Sequence, residues 1–195
     1  MKVLLLSPYG ETVVNATLRA AGDTVVQTAE PLDIRDLERE GADFLVSYGY
    51  AHILRPPVLD RFTGRAINLH VSYLPWNRGA HPNLWSIIDD TPKGVTIHAL
   101  DAGIDTGAIL AQRLVNFAPD DTLATSYETL RQAVEALFEE TWADLREGRL
   151  TAVPQDPTAG SIHRRRDLDA VWPLLPEGWN TRIANVPRRH QLTGR

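Results

Sequence analysis

The sequence predicts an α/β fold, a doubly wound and mostly parallel sheet with a short irregular tail. Three observations carry that expectation. Short apolar runs alternate along the chain with stretches of helical periodicity, which is the pattern of strands joined by crossover helices. The strand-like runs are apolar enough to be buried. After Gly148 the alternation stops, and prolines and glycines punctuate what remains.

The elements follow in order. Residues 2–7 form an apolar run that closes on Ser7-Pro8-Tyr9-Gly10, a buried strand and its turn. From Glu11 to Ala21, the residues Val13, Val14, Thr17, Leu18 and Ala21 fall at helical spacing, and Gly22 supplies the stop. Thr24-Val25-Val26 reads as a second strand. Leu32 to Glu40 is charged and weakly helical, with Gly41 after it. Phe44 to Ser47 is a third strand, and Pro56 to Phe62 a short helix with proline in its first turn. Ala66 to His70, Gly94 to Leu100 and Ile109 to Leu114 are further strands. Thr122 to about Glu147 is the longest helix, with Leu130, Val134, Leu137, Phe138, Trp142 and Leu145 on one stripe. Residues 1–150 are expected to form the principal domain. Residues 151–195 are expected to pack on or near it as loops and one short helix.

Composition removes several function classes. The 195 residues include 43% hydrophobic and 23% charged residues, the values of an ordinary globular chain. There is no cysteine, which excludes disulfides, thiolate nucleophiles and cysteine metal sites. A formal net charge of −5 is a poor basis for gripping nucleic acid through its phosphates. The apolar start is too short for a signal peptide or a membrane span, so a cytoplasmic location without membrane association is expected. The first turn carries one glycine, with neither G-x-G-x-x-G nor a P-loop, so dinucleotide and ATP binding are not indicated.

In open α/β sheets, ligands sit beyond the carboxyl ends of strands. Asn68 and His70 lie at such an end, two residues apart and so on one face. The loop Asp101-Ala102-Gly103-Ile104-Asp105-Thr106-Gly107 follows another strand and can turn sharply enough to aim an aspartate inward. Asparagine, histidine and aspartate together suit acyl transfer. The amide donates to a developing oxyanion. The imidazole stabilises that oxyanion or shuttles a proton, and the carboxylate sets the charge state of the imidazole or drains a proton from the incoming amine. Taken singly, each has a plainer role. Asn68 can be a turn former, His70 a satisfied polar residue, and Asp101 and Asp105 can bond their own loop backbone.

The blocks Ile67-Asn68-Leu69-His70-Val71-Ser72-Tyr73-Leu74-Pro75, Arg78-Gly79-Ala80, Gly94-Val95-Thr96-Ile97-His98 and Asp101 through Gly107 resemble the folate-dependent formyltransferase family. Within it, they are most similar to the sugar N-formyltransferase branch. The resemblance implies a Rossmann-like domain using N10-formyltetrahydrofolate, without a metal, to formylate an amine. It implies Asn68, His70 and Asp105 as catalytic residues. It implies Tyr50, Ala51, His52, Ile53 and Leu54 as the loop reading the pterin, with Asp101, Gly103 and Ile104 across from it. The branch resembled implies a small-molecule amine acceptor, a nucleotide-linked amino sugar, and the possibility of a homodimer. At 195 residues the chain is not expected to carry the carboxyl-terminal domain of the tRNA enzymes, and no clear counterpart of the glycine-rich phosphate turn of the purine enzymes is read in it.

Tyr73, Trp76, Asn77 and Arg78 follow the Asn-His pair and are the expected acceptor-side residues, although Trp76 can equally be a packing residue. Ser161-Ile162-His163-Arg164-Arg165-Arg166 can hold phosphates or be a solvated run of charge. Three rival readings remain. The same three residues can pass the formyl group to water. His70, His81, His98, Asp101 and Asp105 are suitable metal ligands, though at no compact spacing. A non-catalytic binding module on the same scaffold is the third. A non-sugar small amine is the alternative acceptor.

Overall fold

The structure is a computed structural model that describes residues 1–32, 34–35 and 41–192. A six-stranded sheet runs in the order β2-β1-β3-β4-β6-β7. Its strands are β1 (Lys2–Leu6), β2 (Thr24–Thr28), β3 (Phe44–Tyr48), β4 (Ala66–His70), β6 (Gly94–Ala99) and β7 (Ile109–Leu114). The first four are mutually parallel, whereas β6 is antiparallel to β4 and β7 antiparallel to β6. The sheet is therefore mostly parallel, and its direction reverses at β4.

One face carries α1 (Val13–Ala20) and the long α4 (Leu123–Arg146). Val3, Leu5, Phe44, Val46, Ile67, Leu69, Val95 and Ile97 pack there against Val14, Leu18, Leu130, Val134, Phe138 and Trp142. The stripe of α4 read from sequence is this surface. The opposite face of the parallel half buries Leu4, Leu6 and Leu45 with Val58 of α2 (Pro56–Arg61) and Phe62. Both long-axis helices have defined ends. At the start of α4, Thr122 and Thr125 bond each other's backbone N–H at 3.2 and 2.9 Å, a reciprocal cap that satisfies two orphan donors. Gly22 and Gly148 follow α1 and α4 with left-handed backbones, the geometry of a helix stop.

Two features were not foreseen. Pro82–Ile88 forms a helix, α3, every residue of which is buried. A helix without a polar face has no amphipathic period for a sequence to display. The tail holds two short helices rather than one, α5 (Leu168–Val171) and α6 (Arg189–Leu192), among 3-10 turns interrupted by prolines. It returns over the domain. Val171, Leu175 and Val186 pack with Leu84, Trp85, Ile87 and Ile88 of α3 and with Leu123. A two-residue strand β8 (Ile162–His163) pairs in parallel with β5 (Arg78–Gly79). The weakly helical stretch 32–40 falls largely outside the described residues.

Candidate active site

Side-chain alternation on β4 and β6 divides apolar from polar. Ile67, Leu69, Val95 and Ile97 turn to the core beneath α4. Asn68 and His70 therefore share the other face. The antiparallel register sets His98 opposite Asn68 and Thr96 opposite His70. Asn68 lies within its strand and not beyond the end of it, so the site sits on the sheet face where the strand direction reverses. The loop after β6 folds back over that face and brings in Asp105.

The polar groups converge. Asn68 donates from Nδ2 to Asp105 Oδ1 at 3.2 Å, and His98 Nε2 lies 3.2 Å from the same Nδ2. His98 donates from Nδ1 to the Ala99 carbonyl at 2.8 Å, which leaves its Nε2 as an acceptor and aims the Asn68 amide nitrogen. Asp105 Oδ2 accepts the Gly79 N–H at 2.8 Å and stands 3.7 Å from His70 Nδ1. His70 Nε2 faces the Asn77 carbonyl at 3.4 Å. Both His70 contacts are long.

Burial sets the charges. It disfavours an imidazolium at His70 more than Asp105 favours one, so the ring titrates below the ordinary imidazole value. Burial also opposes charge on Asp105. The His70 and His98 rings and the Gly79 N–H outweigh it, and the carboxyl is held well below the usual carboxylate range. At neutral pH the pair is a carboxylate beside a neutral imidazole.

Asp105 adopts a left-handed backbone, φ 52°, uncommon outside glycine though tolerated by aspartate. The tail holds it there. Gln155 donates from Nε2 to the carbonyls of Asp105 and Gly107 at 2.9 and 2.8 Å, while its Oε1 accepts from Arg78 Nε and Nη2 at 3.1 and 2.9 Å. Arg78 precedes Gly79, whose amide holds the carboxylate. At Gly79, φ is 89°, and an added Cβ would stand 2.2 Å from the His163 carbonyl oxygen. One brace thus fixes both the loop bearing Asp105 and the strand that donates to it. Neither Gln155 nor His98 was singled out from the sequence as part of this centre. His98 was legible as the residue two beyond Thr96 on a strand, but its neighbours depend on an antiparallel register.

A cavity of about 910 Å³ opens over these groups, within the size range of small-molecule sites. One wall is Tyr50, Ala51, His52, Ile53 and Leu54 with Asp101, Gly103 and Ile104, so the residues expected at the pterin stand together. Asp101 also bonds its own loop, accepting from Gly103 N–H and Thr106 Oγ1. Of the expected acceptor-side residues, none lines the cavity. Asn77 is fully buried, donating to Thr91 Oγ1 and accepting from Ser161 Oγ. Arg78 is committed to Gln155. Tyr73 lies against Gly94, and Trp76 bonds back to the Tyr73 carbonyl through its N–H. These are corrections: the loop turns inward to be built into the fold. The opposite wall comes from Gly79 to Leu84, Leu123, Ala124 and Tyr127, with His163, Arg164, Arg165 and Trp179 of the tail. Of the metal-ligand types considered, His81 stacks on Trp179 at 5.6 Å. Among the described residues, no group of three or more His, Asp or Glu side chains is arranged to hold a metal ion.

Residues 12–141 match the model of a family described as formyl transferase. The chain belongs to the formyl transferase family. The formyltransferase PseJ from Anoxybacillus kamchatkensis, solved with UDP-4,6-dideoxy-4-formamido-L-AltNAc and tetrahydrofolate, superposes with TM-score 0.92 at 44% identity, covering 98% of this chain and 100% of that one. A sugar N-formyltransferase from a Shewanella species shares the fold at TM-score 0.72 and 23% identity, over 88% and 80% of the two chains. Methionyl-tRNA formyltransferase from a Synechococcus species is 37% identical over 73% of this chain. The chain spans about half the length of these curated relatives, 46% in that case. Among the described residues, no helix of this formyl transferase family member is long and apolar enough to cross a membrane.

Proposed function

We propose that the chain transfers a formyl group from N10-formyltetrahydrofolate to the primary amine of a UDP-linked amino sugar. The observation that carries the reading is the convergence of Asn68, His70 and Asp105 on one cavity, in a chain that superposes on PseJ over 98% of its residues. The folate supplies a formyl carbon activated by its attachment to N10. Tyr50 to Leu54 and Asp101 to Ile104 hold that donor, and the opposite wall holds the acceptor. Holding amine and carbonyl in contact removes an entropic barrier that can reach roughly 7–11 kcal/mol.

The chain's own groups then divide the work. Asn68 turns an N–H from His98 to the formyl oxygen as negative charge grows there, and His70 donates alongside it. The amine nitrogen–carbon bond forms and the carbon–N10 bond breaks. The proton lost by the amine passes to the Asp105–His70 pair and is returned to N10. The depressed Asp105 keeps this pair anionic at neutral pH.

The test offers the chain N10-formyltetrahydrofolate with UDP-linked 4-amino-4,6-dideoxy sugars, initiator methionyl-tRNA, or water alone, and follows formylated product by mass. Formylated UDP-sugar is the expected product. Formate release at the same rate without any amine would replace transfer by hydrolysis, and product only on methionyl-tRNA would replace the acceptor.

A further inference from the structure

Ser161 stands outside the cavity lining, yet it spends its polar groups on the loop that follows Asn68 and His70. Its N–H donates to the Pro75 carbonyl at 3.3 Å, and its carbonyl accepts the Arg78 N–H at 2.9 Å. Its hydroxyl accepts the Asn77 N–H at 2.9 Å and donates to Asn77 Oδ1 at 3.1 Å. Asn77 is fully buried and left-handed, φ 58°, a backbone that an unsupported asparagine leaves readily. From the far side, Thr91 Oγ1 accepts the Asn77 side-chain amide at 2.7 Å. Both peptide units flanking Asn77 are thus gripped, one by the Ser161 hydroxyl and the next by the Ser161 carbonyl.

The Arg78 N–H and the Asn77 carbonyl belong to one trans peptide, so they point in opposite directions. With the N–H turned to Ser161, the carbonyl is turned to His70, whose Nε2 lies 3.4 Å away. A carbonyl can only accept. The other ring nitrogen, Nδ1, faces Asp105 Oδ2 at 3.7 Å, beyond hydrogen-bond reach. That carboxylate already takes the Gly79 N–H and the Asn68 amide at 2.8 and 3.2 Å. Besides Asp105, the ionisable group that acts on the ring is His98, edge-on at 6.1 Å. The bond made by one imidazole nitrogen decides which of the two carries the proton.

We infer that Ser161 is a positioning residue: by clasping Asn77 it turns the Asn77 carbonyl onto His70, holds the ring proton on Nε2 and keeps Nδ1 bare beside Asp105. The inference rests on the proposed formyl transfer and names the atom that takes the amine proton. As the amine attacks, its proton joins the Nδ1 lone pair. The imidazolium then meets Asp105 at Nδ1 and the Asn77 carbonyl at Nε2, and Nδ1 passes the proton on to N10. At 3.4 Å the carbonyl leaves the Nε2 proton free to be shared with the formyl oxygen.

Ser161→Ala removes the hydroxyl and keeps both backbone bonds, so the tail stays docked. It is compared with the parent, with Ser161→Thr, which keeps a hydroxyl, and with Thr158→Ala, whose hydroxyl bonds Asp156 within its own turn. Imidazole nitrogen NMR shifts at neutral pH read the His70 tautomer without turnover, the signals being assigned with His70→Gln. The parent is expected to show a protonated Nε2 and a bare Nδ1, and Ser161→Ala a mixture of tautomers. In turnover, Ser161→Ala is expected to lower kcat by about tenfold while both KM values stay within about twofold of the parent. Ser161→Thr should recover the Nε2–H tautomer and most of the lost kcat, and Thr158→Ala should match the parent throughout. A parent His70 protonated on Nδ1 would overturn the inference. So would a Ser161→Ala protein with the parent's tautomer, whatever its kcat, or a Ser161→Thr protein that falls as far as Ser161→Ala. Failure of the clasp and failure of the proposed function are distinguishable. A parent that forms no formylated UDP-sugar, while Ser161→Ala still mixes the tautomers, removes the transfer and leaves the clasp. Transfer by the parent with an unmoved tautomer in Ser161→Ala removes the clasp alone.

Discussion

The two walls of the cavity are made in different ways. The wall of residues 50–54 and 101–104 comes from segments that directly follow strands β3 and β6. The facing wall joins a strand fragment, a buried helix, the start of α4 and two stretches of the tail. The first is local and needs only the sheet. The second is held by long-range links: Gly79 with His163, Gln155 with Arg78 and Asp105, and α3 with Val171 and Leu175. The comparison teaches that the geometry of the first wall is a property of the sheet, whereas that of the facing wall and the pose of Asp105 depend on the tail.

Substitutions at the triad, which both walls share, should cost most. Asn68→Ala and Asp105→Asn are expected to lower kcat by about 100- to 1000-fold while the circular dichroism and melting temperature stay near those of the parent. Turnover within a few-fold of the parent for Asn68→Ala would remove the amide from the chemistry.

Gly79→Ala attacks the seam between the walls. The new Cβ meets backbone, not a yielding side chain, in a conformation unsuited to it, so a stability loss of about 1–3 kcal/mol is expected. Its kinetic signature should be a larger rise in acceptor KM than in folate KM. Equal changes in both would mean that the walls are not mechanically separate.

Gln155→Ala probes the brace more gently. Lost bonds to two carbonyls and to Arg78 should lower kcat by about tenfold and leave folate affinity near that of the parent. Gln155→Glu keeps an acceptor for Arg78 but cannot donate to the Asp105 and Gly107 carbonyls. If it behaves as the parent does, donation to the loop is not what positions the aspartate.

The smallest effect is in pH. Because burial depresses His70, the neutral ring survives below the ordinary imidazole value, and the acid limb of kcat/KM should fall below about pH 6.5. The sign for stability is the same. An unfolded chain takes up this proton first, so the contribution of His70 to stability is complete above about pH 6.5 and is lost as pH falls through the depressed folded value. An acid limb centred above pH 6.5 would assign the titration to another group.

What the sequence revealed follows the same division. The strands, α1, α4 and the segments that bring Asn68, His70 and Asp105 together were legible because each is marked locally, by periodicity or by a loop that can turn. The strand direction after β4 was not, since nothing in Gly94 to Ala99 distinguishes a parallel run from an antiparallel one. His98 consequently appeared as a strand residue among metal-ligand types, not as the partner of Asn68. Asn77 and Arg78 were misplaced for a related reason. Polar residues near a catalytic pair suggest a binding loop, but these are buried and spend their groups on Thr91, Ser161 and Gln155. Their partners lie up to 84 positions away, beyond any local pattern.

The pairing of Gly79 with His163 also has a consequence for biosynthesis. The amide that steadies Asp105 belongs to a strand whose mate is translated long after it. A nascent polypeptide can complete its sheet and its donor slot early, yet it gains a finished catalytic centre only after β8 has left the ribosome. Ribosome-held chains of increasing length should therefore acquire folate binding well before they acquire formylating activity.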